Sequence, residues 1–211
     1  MIFDGGASAT GYLFLSLNVA LQALEDARSK DKNAGAAEVW SQAKIIVVPL
    51  AVAIQLALRK SQRGAVNYKD IKLNTFHDIV PSQEGVDDAK TLDANNNPAK
   101  WEQKGRVPLF YIPGMTLPDD GREPRYFNVR DLIAEWKRQH GDETVPKIAI
   151  VELVDLFRSQ LSQGSSSSLA NLAITPVAES NQAASQLLKS AASTLPKYDF
   201  SQVYLVGSST S

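Results

Sequence analysis

The chain contains no cysteine. That absence removes thiol nucleophiles, zinc thiolate sites and disulfides together, and it suits any redox compartment. Histidine is almost missing as well: only His77 and His140 could serve a general base or an imidazole metal site. Neither sign of charge is in excess, with 22 Lys and Arg against 23 Asp and Glu and a formal net charge of −1. No electrostatic surplus exists to neutralise phosphates or anionic lipid, which argues against a general nucleic-acid binder. The longest apolar run, Ile45 to Leu58, is broken by Pro49 and Gln55. It falls short of the roughly 20 residues that a membrane-spanning helix needs. Met1 to Gly6 lacks the basic and apolar regions of a secretory signal.

What is present describes an ordinary globular protein: 44% apolar, 21% charged and 8% aromatic residues. Its 211 residues allow one domain or two small ones packed together. Polar and Gly-containing stretches at Ser29 to Gly35, Gln62 to Asn67, Asp93 to Lys100, Pro118 to Pro124 and Gly164 to Ser168 read as loops. Apolar structure resumes at Leu169, so the Ser run is a surface loop inside the fold and not an interdomain linker. Asn95-Asn96-Asn97-Pro98 falls near the middle and marks a boundary between two halves, 1–97 and 98–211, packed as one compact unit.

The two halves correspond through three landmarks. Ser16 aligns with Asn128 at an offset of 112, Val48-Pro49-Leu50 with Val151-Glu152-Leu153 at 103, and Ile79-Val80-Pro81 with Ile174-Thr175-Pro176 at 95. The falling offset puts extra residues of the first half in its loops, where insertions are tolerated. At the first landmark a strand-like segment meets a helix N-cap residue, Ser16 or Asn128. Leu17, Ala20, Leu21 and Leu24 then repeat at helical spacing, matched by Val129, Leu132, Ile133 and Trp136. Short β-type runs follow, Lys44 to Val48 and Lys147 to Val151, then a second helical face: Leu50, Ile54 and Leu58 against Leu153, Phe157 and Leu161. Pro49 suits a first helical turn. The third block runs from strands ending at Val80 and Thr175 into Ala89 and Leu92 against Ala184 and Leu187, with Glu84 and Glu179 also coinciding.

Each half is thus a β-α-β-α-β-α succession of about 90 residues, which implies an α/β (mixed α+β) fold with helices covering a sheet and a pseudo-two-fold arrangement of the halves. Val107 to Ile112 and Arg125 to Phe127, separated by turn-rich Pro118 to Gly121, read as a loose antiparallel hairpin, so a mixed sheet is expected.

Motifs that would carry chemistry are weak. Gly6 to Gly11 has the spacing of a phosphate loop, but Tyr12 and Leu13 stand where Lys and Ser or Thr are needed, and a strand follows where a helix should begin. It reads as a flexible turn. His77 precedes a strand end, and His140 closes a helix where an imidazolium would favour the dipole; both read as structural. Gly207-Ser208-Ser209 matches no nucleophile elbow. Asp87-Asp88 and Asp119-Asp120 lack the alternating spacing of a calcium loop and read as a solvated helix face and a turn. Arg122, Arg125 and Arg130 beside Tyr126 and Phe127 would suit stacked nucleic acid, but the near-zero net charge disfavours it.

What remains is an aromatic surplus on strands, most of it core. Tyr12, Phe14, Phe110, Tyr111, Tyr126 and Phe127 are the candidates for lining apolar grooves. A site without titratable groups suits apolar peptide segments better than catalysis, so no enzyme activity, cofactor or metal is expected.

The same elements resemble the twenty-two-kilodalton subunit of the translocon at the inner envelope of chloroplasts and its cyanobacterial relatives. The resemblance rests on Gly11-Tyr12-Leu13-Phe14-Leu15-Ser16, Ile46-Val47-Val48-Pro49-Leu50 and Ile79-Val80-Pro81-Ser82. In the second half it rests on Val107-Pro108-Leu109-Phe110, Tyr126-Phe127 with the helix from Val129 to Lys137, and Ile148-Ala149-Ile150-Val151-Glu152-Leu153. The opening strand usual in that family is reduced here to Ile2-Phe3, which suggests an N-terminally trimmed chain.

The resemblance implies a non-enzymatic, chaperone-like protein of the plastid intermembrane space, or of the cyanobacterial periplasm or thylakoid lumen. Its partners would be precursor proteins in transit and membrane translocon components, with no membrane span of its own. The alternatives are a structural subunit of an envelope complex and a small-molecule binder at a cleft between the halves.

Overall fold

The computed structural model describes residues 2–4, 8–30, 43, 45, 47–58, 62–68, 71–162, 171–178, 182 and 185–186. Its strands form two four-stranded sheets. The first contains β1 (Ile2–Asp4), β2 (Ser8–Phe14), β3 (Gln62–Tyr68) and β4 (Ile71–Val80) in the order β1-β2-β4-β3. The second contains β5 (Pro108–Tyr111), β6 (Glu123–Tyr126), β7 (Ala149–Glu152) and β8 (Leu172–Thr175) in the order β7-β5-β6-β8. Both are mixed: β2 runs parallel to β4 and β6 parallel to β8, while the other pairings are antiparallel. The helices among the described residues are α1 (Leu17–Lys30), α2 (Leu50–Leu58), α3 (Gln83–Leu92), α4 (Val129–His140) and α5 (Leu153–Ser162), with a 3-10 helix at Pro98–Glu102.

Local chemistry accounts for three of the helix starts. The Asn128 side chain accepts the Asp131 N–H at 2.7 Å to cap α4, and the Ser82 hydroxyl accepts the Gly85 N–H at 3.1 Å to cap α3. The Pro49 carbonyl accepts the first helical N–H of α2, from Ala53 at 3.1 Å. Pro49 itself lacks an N–H and so adds no unsatisfied donor of its own at that end.

Several expectations fail. Gln62 to Asn67 is not a loop but most of β3, an edge strand antiparallel to β4 with a register shift between Gln62 and Val66. An edge strand borders water along its outer side, so polar residues with one glycine hide its character. Lys44 to Val48 is not borne out as a strand: Ala43, Ile45, Val47 and Val48 have no regular structure, and the chain turns directly into α2. β-Branched residues there report burial, which strands and other buried segments share. Ser8 to Gly11, read as part of a turn, lies in β2. The expectations for Gly164 to Ser168, Glu179, Ala184, Leu187 and Gly207 to Ser209 fall outside the described residues.

The second sheet buries both faces, and the period-2 alternation of strands sorts its side chains. Val107, Leu109, Phe127 and Leu153 join Ile54 of α2, Ile79 of β4 and Val177 in one core. Phe110, Ile112, Tyr126 and Leu132 join Ala89 of α3, Trp101 and Met115 in another. Thus α3, which precedes residue 97, packs against β5 and β7 on the same face that α4 covers.

That packing is very close. A Cβ on Gly85 would come within 2.6 Å of the Phe127 carbonyl oxygen. Nearby, Asp88 Oδ2 accepts the Val129 N–H at 3.0 Å, and Asp131 Oδ2 accepts the Ala178 N–H at 3.0 Å and an Asn128 side-chain N–H at 3.2 Å. Asp88 is therefore not a merely solvated residue. Together Asp88, Asn128 and Asp131 satisfy N–H groups that a helix start cannot satisfy for itself.

Two other buried carboxylates hold junctions. Glu152, at the end of β7, accepts the Val107 N–H at 3.1 Å and the Asp155 N–H at 2.7 Å, joining β5 to the start of α5. Asp93, at the end of α3, accepts from Asn96 at 3.0 Å and from Trp101 Nε1 at 2.9 Å, and meets the Lys100 ammonium at 2.6 Å. Lys100 first, and Asn96 next, hold the Asp93 carboxyl down at about 2.

Gly85→Ala should destabilise the protein by about 1–3 kcal/mol in urea denaturation, although alanine ordinarily favours a helix over glycine. Because the folded-state pKa of Asp93 lies below its ordinary value of 3.8, its contribution is complete above about pH 4 and is lost as pH falls towards 2. Thermal melts across that window should show a shallower acid slope for Asp93→Asn than for the unaltered protein.

Candidate functional site

The structure divides the six candidate aromatics into two groups. Phe110, Tyr126 and Phe127 are 0%, 4% and 3% exposed. Phe110 and Tyr126 pack beneath α4 and Phe127 joins the core shared with α2 and α5, so these three rings hold the fold together and offer no surface. Burial first, and then the charge of Glu135, push the Tyr126 phenol up to about 12, so it stays neutral.

Tyr12, Phe14 and Tyr111 are half-buried. Tyr12 and Phe14 lie two residues apart on β2 and share one face, with ring centroids 6.4 Å apart and planes tilted by 40°. The intervening Leu13, with Leu15, points the other way into the core around Ile79. Tyr12 pairs in register with Asp78 of β4, and Lys104 Nζ lies 5.0 Å from the Tyr12 ring centre and 3.9 Å from Asp78 Oδ2. Gly105 brings this loop to β4: its φ is +78°, and a Cβ there would sit 3.5 Å from Asp78 Oδ1. The result is an aromatic pair with a cation over one ring and a carboxylate beside that cation.

Tyr111 stands directly across from Arg125, since Phe110 pairs with Tyr126. The Arg125 guanidinium lies 4.0 Å above the Tyr111 ring, donates to Glu123 at 2.8 Å and donates to the Pro124 carbonyl at 3.1 Å. This stack is a partly buried clamp across the two inner strands of the second sheet. On α1, Ala20 is buried but Leu21 is 49% exposed, and Asn18, Val19, Gln22, Ala23 and Asp26 line a shallow depression of about 410 Å³.

The arginines considered for nucleic acid are engaged with carboxylates: Arg122 with Asp120, Arg125 with Glu123, and Arg130 near Glu84 at 3.7 Å. His140 closes α4 as expected, stacked on Trp136 at 3.8 Å with Glu143 at 3.9 Å from Nδ1. His77 lies in β4, half-buried. Among the described residues, no group of three or more His, Asp or Glu side chains could hold a metal ion, and no helix is long and apolar enough to cross a membrane. Sequence reading overlooked Lys104, because a lone lysine in a polar loop carries no signal of the ring beneath it.

No model of a known protein family matches the sequence, and no curated protein matches it. Solved structures do. Tic22 from Plasmodium falciparum superposes with a TM-score of 0.55 at 17% identity, over 90% of this chain and 88% of its own. Tic22 from Anabaena, a protein of protein transport, superposes with a TM-score of 0.56 at 19% identity, over 91% of this chain and 83% of its own. The chain has the Tic22 fold. The likeness covers nine-tenths of the chain.

Within that fold, the difference between core and surface aromatics is measurable. Phe110→Ala should cost about 3–5 kcal/mol in urea denaturation, as loss of a fully buried ring does, whereas Tyr12→Ala and Tyr111→Ala should each cost about 1 kcal/mol or less.

Proposed function

We propose that this protein is a non-enzymatic, chaperone-like component of protein transport that holds apolar segments of precursor polypeptides. The observation that carries this reading is the fold shared over about 90% of the chain with Tic22 structures, one of them from protein transport. The Tyr12–Phe14 pair with Lys104 above it, and Tyr111 at the second sheet, are the half-buried surfaces that would receive the client. Its site of action, on this reading, is the plastid intermembrane space or the cyanobacterial periplasm or thylakoid lumen, beside membrane translocon components.

The unit that performs this role is a duplicated one, with halves 1–97 and 98–211 packed as one body. Registers support the duplication. Carrying β2 forward by 112 residues and β4 by 95 turns the pairs Tyr12↔Asp78, Leu13↔Ile79 and Phe14↔Val80 into Pro124↔Ala173, Arg125↔Ile174 and Tyr126↔Thr175. Those are the pairs that β6 and β8 make. Ile54 and Ile79 packing with Leu109 and Leu153 supports one body with a filled interior, which disfavours a ligand cleft between the halves. A second role, as a structural subunit docking through α1, is favoured by the exposure of Leu21.

Purified protein should suppress aggregation of an unfolded outer-membrane client, read by light scattering, and the Tyr12→Ser/Phe14→Ser double variant should weaken suppression several-fold with its melting temperature little changed. Equal suppression by the variant, or none by either protein, would overturn the assignment of these rings.

A further inference from the structure

β7 lies at one edge of the second sheet, and among the described residues no strand pairs with its outer side. Its polarity follows from the register. The Leu153 N–H donates to the Val107 carbonyl at 2.9 Å, which marks 107 and 153 as a hydrogen-bonded pair. In an antiparallel ladder such pairs recur every second residue, so Val151 and Ala149 bond inward to Leu109 and Tyr111. Ile150, between them, directs its N–H and C=O outward, and so does Ile148 by the same alternation. Phe110, opposite Ile150, correspondingly bonds to the other side, where its partner is Tyr126 of β6.

The edge is longer than its paired part. Residues 143–148 have no regular structure and lead straight into β7, beyond the end of β5 at Tyr111. Val145, Ile148 and Ile150 pack against the core of Phe110 and Leu132 on one face and remain half-buried. A strand laid outside would continue that apolar face. From 145 to 152 the charged side chains are Lys147, which is exposed, and Glu152, which is buried and already bonded. A lysine on an edge strand is a guard against self-pairing, and it complements an acidic residue on an incoming segment.

The geometry points to the β7 edge as a strand-addition site for an extended client segment of alternating apolar residues carrying an acidic residue opposite Lys147. This rests on the proposed role in holding polypeptides in transit, and it assigns main-chain hydrogen bonds at Ile148 and Ile150 as the contact that accepts clients of varied sequence. Side chains of such a segment add selectivity; its backbone supplies the common term.

The test is amide hydrogen exchange, read by NMR on the full chain, with and without a soluble peptide of about ten residues that alternates Val and Thr around one Asp. Exchange at Ile148 and Ile150 should slow by about tenfold or more on saturation, with Ala149 and Val151 unchanged. Replacing alternate peptide amides by N-methyl groups should abolish the protection while leaving the protein untouched. Ile148→Pro, which removes one outward N–H at a position edge strands tolerate, should weaken binding, and Lys147→Glu should weaken it several-fold.

Peptide binding without protection at 148 and 150 would overturn the site, as would undiminished binding of the N-methylated peptide. Protection that rises with protein concentration alone would assign the edge to a second copy and likewise overturn it. Suppression of client aggregation that survives Lys147→Glu and Ile148→Pro unchanged would remove the edge while leaving the transport role standing. Absence of both peptide binding and suppression would remove both.

Discussion

The approach of α3 to the Phe127 carbonyl is the constraint on which the second sheet depends. Gly85 leaves no room for a side chain there. Only with α3 seated at that distance do Asp88 and the Val129 N–H come within 3.0 Å, Ala89 fall into the core with Phe110 and Leu132, and the start of α4 become satisfied. Asp131 then extends the same arrangement to Ala178. A helix from before residue 97 is therefore a wall of the sheet that follows it, and the polar bonds at the helix starts set its position while the apolar contacts supply most of the driving force.

This arrangement explains what could be read from the residues and what could not. Landmarks such as Ser16, Asn128 and Ile79 are local: a capping side chain or an apolar run before a proline acts on its own neighbours. The helices after them begin where such reasoning places them. The strand at Gln62–Tyr68 was invisible because an edge position asks only for backbone bonds on one side and accepts polar residues on the other. The destination of α3 was invisible for another reason. An amphipathic pattern states that a face is buried, never against which sheet.

The aromatic candidates show the same boundary. Phe110 and Tyr111 are adjacent, equally large and equally plausible as groove lining, yet one is fully buried and the other carries the Arg125 guanidinium on its ring. Both faces of β5 are covered, Phe110 by α3 and α4 and Leu109 by α2 and α5, and only Tyr111, the last residue of the strand, is left half-buried. Glu152 is a stronger case: nothing in its surroundings in sequence marks a carboxylate that will be buried between two backbone N–H donors.

The crossing of α3 also has a consequence for how the molecule is made. A chain emerging vectorially from a ribosome or a translocation channel offers its first ninety or so residues before their partner exists. Until β5, β6 and the turn at Phe127 have followed, the apolar face of α3 has nothing to cover, and the charge on Asp88 has no helix start to cap. That part of the fold is thus completed only when chain from both sides of Asn97 is present.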